Sequence, residues 1–137
     1  MSSFHLILGG LLFYIFTLTG SYMRADFPDK ELITPELRLL MRSRHIYILF
    51  ASLLHMLLGA YVRMAGDVRV RLFQFTGSGL LTSAGVLFII AFCLETYTYA
   101  HYSDISRWGL YLSLAGVGFH LVGGIADRRA KTDRDIG

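Results

Sequence analysis

Four long apolar runs, at about residues 4–23, 46–62, 72–94 and 108–126, restrict what this chain can fold into more than any other feature, because nearly all charges lie between or beyond them. At ~1.5 Å of rise per residue, each run reaches or nearly reaches the ~30 Å of a bilayer's hydrocarbon core. A water-soluble domain of 137 residues is too small to cover four such helices. In lipid the backbone must satisfy its own hydrogen bonds, so only helices or closed barrels can span it. No ten-residue alternating segments suggest a barrel. The expected fold is therefore all-α: a polytopic integral membrane four-helix bundle with spans at about 4–23, 44–63, 72–94 and 108–126.

The ends of the spans carry recognisable signals. Thr34, Pro35 and Glu36 read as an N-cap, a first-turn proline and a first-turn acid. No breaker follows before Gly59, so the second helix is expected to run from Pro35 to about Arg63, longer than a span requires. Its amphipathic first turns, 36–44, are expected at headgroup level or projecting from it. The loop at 63–71 is short and basic. The loop at 95–104 is rich in tyrosine and, with Trp108, reads as an interfacial belt. Residues 127–137 form a charged tail with nothing apolar to fold, expected to be disordered. The first helix lacks a basic n-region and is too long for an ordinary signal-peptide core, so it reads as a retained helix.

Charge and cysteine usage narrow the function. A sequence pI near 9.2 suits anionic lipid headgroups and gives no reason to invoke nucleic acid. Lys and Arg are nearly balanced between the two faces. Their density near helix ends in the second loop and tail favours a bacterial cytoplasmic membrane with both termini cytoplasmic. Cys93 is the only cysteine, which excludes an intrachain disulfide or dithiol chemistry, and it reads as a small buried hydrophobe. No catalytic motif, phosphate loop or paired carboxylates stand at usable spacing.

Small residues mark expected helix contacts: Gly9, Gly10 and Gly20 in the first helix, and Gly79 and Ser83 in the crowded first half of the third. The bulky second half of the third helix, 86–92, suits lipid or a looser contact.

One pattern carries chemistry. Ala51, His55 and Gly59 in the second apolar run are matched by Gly116, His120 and Gly124 in the fourth. In each, a small residue stands four before a histidine and a glycine four after, on one helix face. Counting back from Arg63 and Asp127 places both histidines ~10–12 Å from the same membrane face. A shift of 65 residues also aligns Arg42 with Arg107 and Gly20 with Gly85, a faint sign of a duplicated hairpin.

Intramembrane imidazoles need partners and usually face the bundle interior. In the first reading each is neutral and hydrogen-bonds across a helix contact, to Ser52, Ser83 or a backbone carbonyl. In the second, His55 and His120 are the axial ligands of one b-type haem, with room made by Ala51, Gly59, Gly116 and Gly124 and propionates paired to Arg63 and Arg128. A third is transport or a proton relay, weakened by the lack of an Asp or Glu within a span. His45 and His101 suggest a second site at the opposite face, though interfacial histidines bonded to water or headgroups are the simpler account. His5 has no evident partner. These features favour an accessory or assembly subunit that packs against itself or a larger membrane complex, with haem-based electron transfer as the alternative and no catalysis of its own expected.

Overall fold

The computed structural model describes residues 1–25, 34–95 and 104–136. It contains four helices, α1 (Ser2–Ala25), α2 (Pro35–Tyr61), α3 (Val68–Leu94) and α4 (Asp104–Ile136). All four are long and apolar enough to cross a membrane, so the chain is compatible with a small membrane protein. The Thr34 hydroxyl accepts from the Leu37 N–H at 3.3 Å, with Pro35 in the first turn, as the sequence signal requires.

Several boundaries differ from expectation, three of them for a clear local reason. Helix α3 starts at Val68 instead of near 72, because the Asp67 carboxylate caps it, accepting from Arg69 N at 2.7 Å and Val70 N at 3.4 Å. Helix α2 closes at Tyr61, two residues early, as Val62 turns to extended backbone. Helix α4 continues to Ile136 through the charged segment expected to be disordered. No glycine or proline lies between Gly124 and Gly137, and the Ala, Arg and Lys there are good helix formers.

The helices pack as two hairpins. Helix α1 lies along α2 and α3 along α4, and the hairpins meet mainly through α2 and α3. Glycines set the close contacts. A Cβ on Gly9 would stand 2.9 Å from the Met56 backbone nitrogen, and one on Gly59 2.8 Å from that of Leu6. Across the second hairpin, Gly77 and Gly116 face each other, and a Cβ on either would meet the other's carbonyl oxygen at 2.8–2.9 Å. Gly20 lies against His45. By contrast Gly10, Gly79, Gly118 and Gly124 have nothing within 4 Å of a Cβ.

The expected contact through Gly79 and Ser83 is therefore not formed within the chain, since both are exposed. The α3 face that packs is the neighbouring one: Gly77, Ser78, Leu81, Ala84, Gly85, Phe88 and Phe92. Its bulky half is divided: Phe88, Ala91 and Phe92 are buried, whereas Val86 and Ile90 stay exposed, as expected for lipid. Leu12, Ile48, Ala51, Ala84, Phe88 and Phe92 form one buried apolar cluster midway along the bundle. Cys93 is exposed, contrary to expectation. Residues 96–103 of the tyrosine-rich loop, His101 among them, lie outside the described residues.

Candidate functional site

A row of buried residues spaced three or four apart runs down α2: Met41, Arg44, Ile48, Ala51, Ser52, His55 and Gly59. This is the period of one helix face. It carries a charge near one end of the bundle and an imidazole near the other, with the apolar cluster between them.

At the histidine end each helix contributes one polar side chain: His5 from α1, His55 from α2, Ser78 from α3 and His120 from α4. His5 Nδ1 lies 2.8 Å from His55 Nδ1, and their rings stack with centroids 5.0 Å apart. His5 Nε2 lies 2.9 Å from the Ser78 hydroxyl, which is 3.2 Å from His120 Nε2. The hydroxyl also reaches the Gln74 carbonyl oxygen at 2.7 Å.

Two proton arrangements suit this cluster with all three imidazoles neutral. In one, the Ser78 hydroxyl donates to the Gln74 carbonyl and accepts from the Nε2–H of His5 and of His120, and His5 Nδ1 accepts from the Nδ1–H of His55. In the other, His55 carries its proton on Nε2, His5 donates from Nδ1 to His55, and the Ser78 hydroxyl donates to His5 Nε2. The Leu81 carbonyl lies near the His55 ring. His55 Nε2 and His120 Nδ1 are buried and without a side-chain hydrogen-bond partner among the described residues.

Gln74 anchors the adjoining loop. Its Nε2 donates to the Arg63 carbonyl at 3.0 Å and its Oε1 accepts from Ala65 N at 3.1 Å. In the first hairpin, Ser52 donates to the Gly9 carbonyl at 2.9 Å, and Ser2 donates to that of Gly59.

The pairing of His55 with His120 is thus indirect. They share a cluster, but through His5 and Ser78, and neither Ser52 nor Ser83 is the partner. His5 was legible in principle: His5 and Gly9 repeat the same histidine-to-glycine spacing as His55–Gly59 and His120–Gly124. It was hidden because nothing near it in sequence names a partner, and all of its contacts come from other helices. Gly59 and Gly116 are filled by Leu6 and Leu81, whereas Gly124 is open, so the three glycines are not equivalent in use.

As packed, these residues do not fit a porphyrin. The His5 ring stands 5.0 Å from His55 and 6.1 Å from His120, and the free nitrogen of His120 is Nδ1, on the side of the ring away from its Ser78 contact. Gly59 and Gly116 hold neighbouring helices, whereas Gly124 does not. Arg63 and Arg128 are exposed. Nor do any three or more His, Cys, Asp or Glu side chains among the described residues form a metal-holding group.

The opposite end holds a second polar centre. Arg44 Nε donates to Glu95 Oε2 at 3.1 Å, with both side chains buried. That oxygen also accepts from the Ser106 hydroxyl at 2.6 Å, while Glu95 Oε1 accepts from Ile105 N at 2.8 Å and Ser106 N at 3.3 Å. A carboxylate ending α3 therefore caps α4, where it also favours the helix dipole. Beside it, His45 Nδ1 lies 2.8 Å from the Thr19 hydroxyl, and the His45 ring stacks on Phe16.

In comparisons with known proteins, no family model, no curated protein and no solved structure matches this chain.

Proposed function

We propose that this is a small integral membrane protein, seated in a cytoplasmic membrane with both termini cytoplasmic, that serves as an accessory or assembly subunit of its own oligomer or of a larger membrane complex. The sorting of its glycines carries this reading. Gly9, Gly59, Gly77 and Gly116 are consumed by contacts inside the bundle, whereas Gly10 on α1 and Gly118 on α4 leave open space on the outer surface. In lipid, close helix approach at small residues drives association, because apolar side chains gain little by leaving acyl chains for one another. Surplus small positions facing outward suit a further helix.

The polar centres support the same reading. Their hydrogen bonds link all four helices, and the apolar cluster separates them along the bundle axis. They are built to hold helices together. Mild solubilisation of the native membrane, followed by size analysis and cross-linking, tests the proposal. Co-purification with itself or a partner, weakened by Gly10→Leu or Gly118→Leu, supports it; a lone monodisperse monomer counts against it.

Haem ligation by His55 and His120 is the second reading, favoured by their two unpartnered nitrogens and opposed by the His5 ring. An absorption spectrum after expression with ample haem decides. Reduced Soret and α bands lost in His55→Ala and His120→Ala would establish it, and a colourless protein would sink it.

A further inference from the structure

Arg44 is 1% exposed, yet only one of its three guanidinium nitrogens is used. Nε meets Glu95, while Nη1 and Nη2 are buried with no acceptor among the described residues. Glu95 has no capacity left for them, because its two oxygens already receive Arg44 Nε, the Ser106 hydroxyl and two α4 backbone N–H groups. Four N–H donors thus point into the bundle end without a partner. Buried groups of this kind are normally satisfied, and an orphan signals a missing water, ion or ligand.

Depth and chemistry indicate which. Arg44 precedes Tyr61, the last residue of α2, by seventeen residues, or ~25 Å along the helix, so it sits at the far edge of a hydrocarbon core, near phosphate level. The planar fork of two terminal amino groups matches the paired oxygens of a phosphoryl group. Arg38, at the same end, also has a buried Nε with no partner among the described residues.

We infer that the Nη fork of Arg44 is a binding site for a phosphoryl oxyanion, supplied by a phospholipid headgroup or by free phosphate. The site is distinct from the histidine cluster and independent of the proposed accessory role.

The full chain, stripped of lipid by extended detergent washing in phosphate-free buffer, is given phosphatidylglycerol vesicles in one arm and inorganic phosphate in the other. Bound phosphorus per chain and the shift in melting temperature are read in both. Wild type is expected to retain about one phosphorus per chain and to melt higher with at least one source; the responding arm names the source. Arg44→Lys keeps the charge opposite Glu95 but lacks the fork, and is expected to bind about tenfold more weakly. Should that variant not fold, Arg44→Gln with Glu95→Gln removes the fork without stranding a charge and must show the same loss. Saturation by neither source, or wild-type binding in the folded variant, overturns the assignment.

Discussion

Replacing Glu95 by alanine should be among the most damaging single changes in this chain. It strands Arg44, whose guanidinium is buried and has no other described acceptor. Removing one member of a buried ion pair costs ~3–5 kcal/mol. The Ser106 hydroxyl and the Ile105 and Ser106 N–H groups lose their acceptor as well, at ~1 kcal/mol each where water reaches the first turn of α4. These terms overlap, so a total of about 4–6 kcal/mol is expected.

Glu95→Gln should cost about half as much, because an amide oxygen still caps α4. Combining it with Arg44→Met removes both charges, and the double variant should be ~1–3 kcal/mol more stable than the sum of the two singles. Equilibrium unfolding in mixed micelles, followed by helical circular dichroism, measures all four corners of the cycle. A loss below ~1 kcal/mol for Glu95→Ala, or additivity within ~0.5 kcal/mol, would refute the account of this network.

Gly116→Ala places a methyl 2.9 Å from the Gly77 carbonyl oxygen, which cannot yield as a side-chain tip does, so it should destabilise by ~1–3 kcal/mol in the same unfolding assay. Gly10→Ala meets nothing within 4 Å and should be neutral or stabilising by up to ~1 kcal/mol, through helix propensity alone. Ser78→Ala removes the hydroxyl that meets the Nε2 atoms of both His5 and His120 and should cost ~2–4 kcal/mol. Nitrogen NMR of the wild-type imidazoles should show all three neutral, with one proton shared between the facing Nδ1 atoms of His5 and His55; both bare or both protonated would break the account of the cluster. Asp67→Ala should lower stability by ~1 kcal/mol, through the lost α3 cap, with the helix start receding on hydrogen exchange.

The architecture was legible because the bilayer imposes its own arithmetic: a run long enough to cross hydrocarbon has little choice but to be a helix. The Thr34–Pro35 start was equally local and emerged at the expected residue. Arg44 was harder. Read as part of an amphipathic stretch at the surface, it proved to be on the buried face, and the signal was its spacing from Ile48, Ser52 and His55. Glu95 was placed at a helix end but not recognised as the cap of the next helix, since its partners at 105 and 106 lie beyond a loop. The α3 contact face was misassigned for a related reason: Gly77 and Gly79 are both small, and only the partner helix decides which is covered.

Sequence alone determined that four apolar helices exist, about where they begin, and that His55 and His120 lie near one end at similar depth. Those conclusions rest on length, periodicity and caps, each set by neighbours within a few residues. The tertiary structure decided what the histidines touch. His5 enters the cluster from α1 because Gly9 and Gly59 let the first two helices approach, and Ser78 joins the two hairpins because Gly77 and Gly116 do the same on the other side. A hydrogen bond needs its partner within about 3 Å, and separations that small are settled by backbone approach between helices far apart in the chain.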